Sequence, residues 1–584
     1  MSILKQASLL MYPSGYKEDK LYSILPKDGS GDLSFARSSV GTRVNAEGLI
    51  ETVPYNLINY SQDFTNGVWT PNGVVATLNS GTAPDGTNTL NDVSSDNSNV
   101  QENRFRYATS LAVSTTYTIS VFCKVKDINN FYIRDLTGGG GVSIINVATS
   151  TVLVTGSGST VSIVDFGSGI KRVIVTFTTP SSIGNNLIDF GITSSNTDRQ
   201  SAIAIGIGMY FWGAMINEGS SAKTYLKTES GLNIPRIDYL GGGCGKLLLE
   251  PQRTNTVLYN SDYTQYWANA NVLVTQNATI SPNGNNDAQK LTSANTFGQH
   301  YIREIRAGHT VGAPHVYSCF AKAAELDILT LRLLNGGGQT YTDFDLTNGT
   351  HNGGANGKMI DFGNGWWRCI SYHASSTSQY LYPYIYTKVG NTQGDGVSGF
   401  YVYGAMIEEG TYETSLIDTT TTTVTRTQDT SITTGLSSVI GQTEGTLQFK
   451  FEKSKIIEDY AVISLMSTGT DAIMIGTRNL SPANDSLRLL FFKANVLTLN
   501  LTLATNIGNG TFNVAVAYKL NDWSVFVDGV EVYTNTSVAA PSLLTELRLL
   551  NRFGTAYNFS YPVENLSLFT TRLSNTELAT LTTL

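Results

Sequence analysis

Short segments in which apolar and polar residues alternate make up most of the chain. Residues 117–125 and 171–179 follow this pattern, and turn signals such as Asp85-Gly86 separate such segments. Alternation with a period of two is typical of a β-strand that has one face in a core and the other in solvent. The sequence shows no helical periodicity of useful length. The pattern predicts an all-β protein of tandem antiparallel β-sandwich (jelly-roll) domains with a short N-terminal segment.

The strand pattern occurs twice in the chain. The segment NLINYSQDF, shortly before Trp69, recurs as NTVLYNSDY, shortly before Trp267. Further matching pairs, such as SVFCK with SCFAK, follow in the same order at separations of about 190 to 200 residues. The spacing predicts a duplication: a first jelly-roll module at residues 51–228 and a second at residues 251–418. We expect the two equivalent tryptophans to be structural.

Four further segments flank these modules. Residues 229–250 hold two apolar runs on either side of a glycine-rich stretch, which predicts a strand–turn–strand connector. Residues 419–430 form a β-branched linker with few charges, and the alternating strands of residues 431–584 predict a third sandwich. Residues 1–50 are poor in continuous hydrophobic periodicity. We therefore expect residues 1–50 to attach to a larger particle or to wrap around other copies of the chain.

Local signals support these assignments. Pro235 can occupy only the start or the edge of a strand, because proline has no N–H for the ladder. Asp528-Gly529 between two alternating runs predicts a hairpin turn. Ser574 lies three residues before Glu577, which predicts a capped helical turn near the end of the chain.

Charge and cysteine content exclude several classes of partner. Charged residues are only 14% of the chain, the formal net charge is -8, and no run of Lys or Arg occurs, so we expect no nucleic-acid partner. No apolar stretch approaches the roughly 18 residues of a membrane-spanning helix, and no export signal is recognisable. The four cysteines lack metal-ligand spacing and are predicted to be reduced and mostly buried.

Catalytic and metal-binding motifs are not recognisable. The sequence has no GxSxG elbow and no HExxH, so we expect no enzymatic activity and assign no catalytic residue. All five histidines lie in the second module, but none are spaced as one ligand set, and we expect them to be scattered and solvated. We predict no cofactor and assign no metal site; calcium stays an open alternative, but no residues can be assigned to it.

Aromatic residues of the second module are the candidate carbohydrate-binding residues. A strand over YLYPYIY places four tyrosines on one face, and aromatic faces stack on sugar rings. Alignment with the first module leaves two interpretations. With an offset of 192 residues the tyrosines lie on the core face of the sheet, and with an offset of 191 they lie on the opposite face. Pro383 predicts an edge strand in either case. One residue of the neighbouring WWR segment is a further candidate, and the full set is Trp367, Tyr380, Tyr382, Tyr384 and Tyr386.

Two motifs resemble a known group of proteins. The segment PRIDY, followed by a Gly/Cys turn and LLLEPQRTN, resembles a motif of tail-fibre, tail-spike and head-fibre proteins of tailed bacteriophages, where it precedes modules similar to carbohydrate-binding jelly rolls. Residues 33–64 resemble another version of the same motif. Residues 431–584 are similar to laminin-G and concanavalin-A-like sandwiches.

The resemblance implies a structural virion fibre, of the tail or the head, assembled in the cytoplasm of the host bacterium. Such a fibre attaches the virion to host-surface glycan, is usually a homotrimer, and would contact other virion proteins through residues 1–50. The alternative is a polysaccharide-degrading tail spike whose active site forms between subunits.

Overall fold

The computed structural model describes residues 3–96, 101–230, 232–334, 339–374, 376–453, 459–467, 471–479, 485–549 and 561–583. Two compact units are present: Pro54–Ile234, and Met1–Val53 together with Pro235–Leu584. The first of these is therefore inserted in the sequence of the second. All strand pairs between described residues are antiparallel. The predicted all-β architecture of tandem sandwiches is confirmed.

Residues 3–53 contribute to the core of the larger unit. Leu9, Met11, Leu21 and Leu33 are buried in the same apolar cluster as the C-terminal sandwich. A 3₁₀ turn, Ile3–Gln6, precedes the strands. The strands are β1 (Leu9–Met11), β2 (Tyr16–Lys17), β3 (Lys20–Leu21), β4 (Leu33–Ser34), β5 (Thr42–Val44) and β6 (Ile50–Thr52). Strands β2, β3 and β4 form a three-stranded sheet in which β3 pairs with both neighbours. The attachment and trimer roles of residues 1–50 stay predictions.

The unit Pro54–Ile234 is a sandwich of two six-stranded sheets, with orders β14-β13-β12-β17-β10-β7 and β15-β16-β11-β18-β9-β8. Its strands are β7 (Trp69–Asn72), β8 (Val74–Thr77), β9 (Asn91–Ser95), β10 (Asn103–Ala108), β11 (Thr116–Val125), β12 (Asn130–Asp135), β13 (Val142–Asn146), β14 (Thr151–Val154), β15 (Ser159–Asp165), β16 (Ile170–Thr178), β17 (Leu187–Thr193) and β18 (Gly208–Glu218). Strands β11 and β16 match the predicted residues within one position. Trp69 is buried between the sheets, as predicted, and its indole N–H donates to the Tyr60 carbonyl at 3.1 Å.

The connector forms the predicted hairpin, β19 (Arg236–Asp238) and β20 (Lys246–Leu248). Gly241, Gly242 and Gly243 all have positive φ in its turn, a conformation that residues with a Cβ adopt at a cost. Pro235 directly precedes β19, which is the edge strand of its sheet. The proline therefore removes no hydrogen bond from a ladder.

The second module repeats the two-sheet design, with sheet orders β22-β25-β32-β27-β28-β29 and β23-β24-β33-β26-β31-β30. Its strands are β21 (Arg253–Asn255), β22 (Ala268–Ala270), β23 (Val272–Thr279), β24 (Ala288–Ser293), β25 (Phe297–Arg303), β26 (His315–Ala323), β27 (Ile328–Leu334), β28 (Gln339–Asp345), β29 (Thr350–His351), β30 (Gly357–Asp361), β31 (Trp366–His373), β32 (Tyr382–Gln393), β33 (Gly399–Glu409) and β34 (Val424–Arg426), with a 3₁₀ turn at Gly354–Asn356. Trp267 is buried in the core, as predicted.

The prediction that Pro383 marks an edge strand is wrong. Its strand, β32, lies between β25 and β27 inside the sheet. Pro383 is the second residue of β32, so the missing N–H falls at the end of the ladder, where one lost hydrogen bond interrupts no pairing beyond it.

The C-terminal sandwich completes the larger unit. Its strands are β35 (Ile432–Thr433), β36 (Glu444–Lys453), β37 (Asp459–Met466), β38 (Ala472–Asn479), β39 (Ser486–Lys493), β40 (Val496–Thr505), β41 (Gly510–Lys519), β42 (Trp523–Val527), β43 (Val530–Asn535), β44 (Glu546–Arg548) and β45 (Val563–Phe569), followed by α1 (Asn575–Thr583). One sheet has the order β19-β20-β45-β36-β41-β42-β43, with β1 also on β45, and the other the order β35-β44-β37-β38-β39-β40.

Two local predictions for this sandwich are confirmed. Asp528 and Gly529 both have positive φ, 49° and 83°, as a two-residue hairpin turn of the primed type requires. Ser574 caps α1: its hydroxyl accepts from the Glu577 N–H at 3.3 Å, and the Glu577 carboxylate accepts from the Ser574 N–H at 2.8 Å.

A buried arginine lies at the centre of the PRIDY motif. Arg236 is fully buried and ion-paired with Glu250, at 2.7 Å, and with Asp429. It also donates to the Thr42 carbonyl at 3.2 Å and to the Ser415 hydroxyl at 2.8 Å. Burial lowers the pKa of Arg236, but Asp429 and Glu250 raise it by more, so the pKa stays above its ordinary value.

Two more arginines extend this arrangement. Arg37 donates to Asp429 at 2.9 Å, and Arg426 pairs with Glu250 at 2.9 Å. We call the five residues the arginine network: Arg37, Arg236, Glu250, Arg426 and Asp429. The network ties the N-terminal segment, the connector and the predicted linker to one buried point. The motifs of the sequence resemblance therefore have a structural role in this chain.

Two further findings concern the whole chain. Among the described residues, none of the helices has the length and apolar character needed to cross a bilayer. All four cysteines are unpaired, and three of them are buried, as predicted.

Candidate functional site

The tyrosines of β32 lie on the outer face of their sheet. Ile385 and its strand neighbour Leu331 are in the core between the two sheets. Successive side chains of a strand point to opposite faces, so Tyr384 and Tyr386 point away from the core. They meet side chains of β25, β27 and β28 there. We call this group the tyrosine face, and its members are Tyr301, Arg303, Arg332, Tyr341, Tyr384 and Tyr386.

Strand register builds the tyrosine face in two rows. One row runs across four strands as Tyr341, Arg332, Tyr384 and Arg303. In the adjacent row, Asp343 and Thr330 lie beside Tyr386 and Tyr301, and only the two tyrosines belong to the tyrosine face. Directly opposed side chains of antiparallel strands are about 5 Å apart at Cβ, so each row is continuous.

The rings pack on one another and on the guanidinium groups. Tyr384 and Tyr386 are stacked at 5.6 Å between ring centroids, and Tyr301 contacts both, at 5.0 and 5.2 Å. The Arg332 guanidinium lies 4.7 Å from the Tyr384 ring centroid and 5.1 Å from that of Tyr341. These distances are those of favourable aromatic and cation–π contacts.

Hydrogen bonds orient two of the hydroxyl groups. Arg303 donates to the Tyr384 hydroxyl at 3.0 Å, and Arg332 donates to the Tyr386 hydroxyl at 3.0 Å. Burial raises the pKa of Tyr386 to about 12, while Arg332 opposes the shift. Arg332 is therefore paired with a neutral acceptor. Within the part of the chain that the structure describes, neither arginine forms an ion pair with a carboxylate.

The predicted tyrosines differ in access to solvent. Tyr384 and Tyr386 are buried at 6% and 2% exposure, so their rings are the floor of the face. Tyr382 is half-buried in β32, and Tyr380 is 44% exposed in the loop before this strand. Tyr341, at 38%, and the half-buried Tyr301 are the accessible rings at its sides.

Trp367 lies elsewhere. It belongs to β31, in the opposite sheet, and packs half-buried against the core of the second module. Its indole N–H donates to the Leu346 carbonyl at 3.0 Å. The structure therefore does not bring Trp367 to the tyrosine face, and a binding role for it stays a prediction.

The first module has an ionic cluster at the equivalent place. Asp189 pairs with Arg106 and Arg134, as Tyr384 pairs with the two arginines of the tyrosine face. Asp189 accepts two hydrogen bonds from Arg106, at 2.7 and 3.0 Å, and lies 3.7 Å from Arg134. Of the two readings of the tyrosine run, the pairing therefore favours the outward one. The arginines are common to both modules, whereas the acid is replaced by tyrosine in the second.

Sequence reasoning missed four members of the tyrosine face. Tyr301 and Arg303 alternate with apolar residues in the segment YIREI, and Arg332 does so in LTLRLL. The pattern that indicates the two arginines is a charged residue on the polar side of a strand, and a run of aromatic residues does not include them. The sequence around Tyr341 has no comparable pattern.

The prediction that the histidines are scattered and solvated is wrong. His300, His309, His315 and His373 are at most 6% exposed. Two of them, His309 and His315, lie next to each other and to Glu409. Loop residues and strand ends that are distant in sequence meet there, which spacing along the chain cannot reveal.

A cavity of about 440 Å³ lies elsewhere in the larger unit. Its lining includes Arg43, Lys246 and Lys358. Each of these cations already has a carboxylate partner, at 2.9, 2.5 and 2.8 Å respectively. These three cations are therefore already neutralised by carboxylates of the chain.

Comparison with known proteins finds no matching family model and no matching curated protein. Among solved structures, the chain is similar to the N-terminal CBM22-1-CBM22-2 tandem domain of Xyn10C from Paenibacillus barcinonensis. The match covers 61% of this chain and 98% of that one, at 13% identity and a TM-score of 0.22.

Proposed function

We propose that the tyrosine face binds glycan, and that its ligands are acidic sugars. The observation that carries the proposal is the pair of arginines set among tyrosine rings without a carboxylate partner in the described residues. Aromatic rings offer apolar surface to the C–H face of a sugar. A guanidinium group binds a carboxylate through two parallel hydrogen bonds, which gives both affinity and orientation.

Each part of the tyrosine face has a role in this proposal. Tyr341 and Tyr301, the accessible rings, contact the sugar, while Tyr384 and Tyr386 hold the guanidinium groups in place. Arg303, half-buried at the edge of the row, receives the acidic group. Arg332, buried against the Tyr341 and Tyr384 rings, adds positive charge to the face. The equivalent arginines of the first module are neutralised by Asp189, so we expect the first module not to bind acidic sugars in this way.

The binding experiment compares acidic and neutral bacterial polysaccharides on the full chain, by microscale thermophoresis at two salt concentrations. We expect Arg303→Gln to weaken binding of the acidic polysaccharide at least about tenfold, the loss of one charge-assisted contact. Arg106→Gln, the matched change in the first module, leaves it unchanged. Equal affinity for neutral and acidic polysaccharides, or equal loss in both variants, would refute the proposal.

We also propose that the chain is a fibre protein of a tailed-phage virion and attaches the particle to its host. The support is the sequence resemblance of the PRIDY segment and of residues 33–64. Labelled antibodies against the second module should decorate purified particles in electron micrographs. Absence of the protein from purified particles would refute this assignment.

The same preparation separates adhesion from degradation. A fibre binds host polysaccharide and leaves it intact. Release of new reducing ends during incubation would instead favour the tail-spike alternative, with an active site between subunits.

A further inference from the structure

The start of β26 and the ends of β31 and β33 meet at one point on the inner face of their sheet. His315 is the first residue of β26, and it pairs with Glu409 at the end of β33 and with His373 at the end of β31. Directly paired residues point to the same face of a sheet. Tyr317, two positions after His315, is in the core, so this row also faces inward.

A loop brings a second imidazole to the row. His309 lies six residues before His315, and its N–H donates to the Gln379 carbonyl at 3.2 Å. The next residue, Thr310, donates its N–H to Glu409 Oε1 at 2.7 Å. One backbone N–H thus ties the loop to the Gln379 carbonyl and the next ties it to the Glu409 side chain, so the position of His309 is built into the fold.

The three side chains have the arrangement of a ligand set. One donor atom from each of His309, His315 and Glu409 lies within 4.8 Å of the others. Glu409 Oε1 is 3.7 Å from His315 Nε2 and 4.0 Å from His309 Nδ1. A tetrahedral metal with bonds near 2.0–2.1 Å holds its ligand atoms about 3.3 Å apart, so the Glu409 oxygen must move closer to the two imidazole nitrogens by about 0.4 and 0.7 Å.

The burial of these histidines supplies an independent observation. His315 is 1% exposed, yet neither of its ring nitrogens has a hydrogen-bond partner among the described residues. The Nε2 atom of His373 is also buried without a hydrogen-bond partner among the described residues. Buried polar atoms without partners are costly, and each one in a native fold requires an explanation. A bound cation would accept the lone pair of one of these nitrogens.

The first module gives an internal comparison. Tyr117 holds the place of His315 there, and its strand partners are Phe177 and Glu218. The glutamate is thus common to both copies, whereas His315 and His373 are replaced by aromatic residues. The Tyr117 hydroxyl accepts from the Ala112 N–H at 3.0 Å. Packing at this corner of the sandwich therefore does not need imidazole.

We propose that His309, His315 and Glu409 bind a divalent transition metal ion, and that Zn²⁺ is the best fit. Two imidazole nitrogens and one carboxylate oxygen suit zinc better than calcium or magnesium, which prefer oxygen ligands. The Glu409 side chain is 40% exposed, which gives the ion a path from solvent and leaves its fourth position open to water. His373, beside His315, supports the site from the neighbouring strand.

The experiment uses the full chain after removal of metals with a chelator. Zn²⁺ is titrated against a fluorescent zinc indicator, and Co²⁺ is added separately to record the visible absorption of a tetrahedral site. We expect one Zn²⁺ per chain and a higher melting temperature with the ion. His315→Tyr, the residue of the first module, should lower the affinity at least about tenfold.

Two further variants make the test decisive. Glu409→Gln changes a partly exposed ligand and replaces His315→Tyr in the test if that variant folds poorly. We expect the same loss of Zn²⁺ affinity. His351→Gln, a histidine of β29 outside the cluster, is the control and should bind as the wild type does. Zn²⁺ binding that is absent from the wild type, or equal in all variants, would overturn the proposal, as would a preference for Ca²⁺.

Discussion

Replacing Arg236 by methionine tests whether the arginine network holds the larger unit together. Methionine has similar length but no charge, so the substitution removes the pairs with Glu250 and Asp429 and the bonds to Thr42 and Ser415. Two buried carboxylates then keep only the outer arginines as partners. Removing one partner of a buried ion pair costs about 3–5 kcal/mol, because the remaining charge stays out of water.

Hydrogen exchange followed by mass spectrometry under increasing urea measures this loss peptide by peptide. We expect the unfolding free energy of peptides in β20 and β45 to fall by about 3–5 kcal/mol. Lys519→Met removes an ion pair of the same unit whose lysine side chain is 52% exposed, and should cost at most about 1 kcal/mol. Peptides of Pro54–Ile234, which contribute no residue to the network, are the internal reference.

The outcome decides whether the arginine network of the PRIDY motif stabilises the larger unit more than an exposed ion pair does. A loss below about 1 kcal/mol for Arg236→Met would refute the reasoning, since the network would then contribute no more than an exposed pair. The change Asp429→Asn should repeat the effect, because it removes the carboxylate shared by Arg37 and Arg236.

Three further outcomes follow from the structure. Burial raises the pKa of Glu304 to about 7, while Arg306 opposes the shift. The Glu304 carboxyl thus holds its proton more tightly in the folded state than in the unfolded chain. The protonated carboxyl stabilises the folded state fully below about pH 4.5, and this stabilisation is lost as the pH rises to about 7. Glu304→Gln should therefore raise the melting temperature relative to the wild type more at pH 7 than at pH 5, and an equal effect at both would contradict this. Ser574→Ala should lower the protection of α1 by about 1 kcal/mol in hydrogen exchange, whereas unchanged protection would show that the capping box contributes nothing. The homotrimer stays a prediction: light scattering should give three times the chain mass at micromolar concentration, and a monomeric mass would refute it.

Much of the strand content could be predicted because alternation is a local property. Strands such as β11 and β16 carry their own period-two pattern, and Asp528-Gly529 determines its hairpin by backbone preference alone. The capping box at Ser574 is equally local. In each case the residues that make the structure are neighbours in the sequence.

The outward side of the tyrosine run could not be decided from the sequence. The loops between β27 and β32 differ in length from those of the first module, so a shift of one position in the alignment reverses every side chain. Only the pairing of Tyr384 with Arg303 and Arg332 settles the register. Cross-strand partners are distant in the sequence and leave no local trace.

The role of residues 3–53 was hidden for a similar reason. Leu9 and Met11 are too few to form a core, and the sequence does not show that another domain lacks a strand. Likewise, His309 and Glu409 are a hundred residues apart in number and adjacent in space. Whether such a residue is buried depends on the segment that packs against it, and that segment is determined by the whole fold.

The pairing of β1 with β45 has a consequence for the time at which the protein can fold during its synthesis. Ser8 and Leu568, 560 positions apart, are joined by a hydrogen bond of 2.9 Å. A ribosome that adds 5–20 residues per second needs about 30 to 110 s to make the chain between them. During this interval β1 has no β45 with which to pair. The inserted unit Pro54–Ile234 is by then fully synthesised and free to fold. Newly made chains that stop before β45 will therefore lack the partner of Leu9 and Met11, and only chains that extend through β45 will bury these residues.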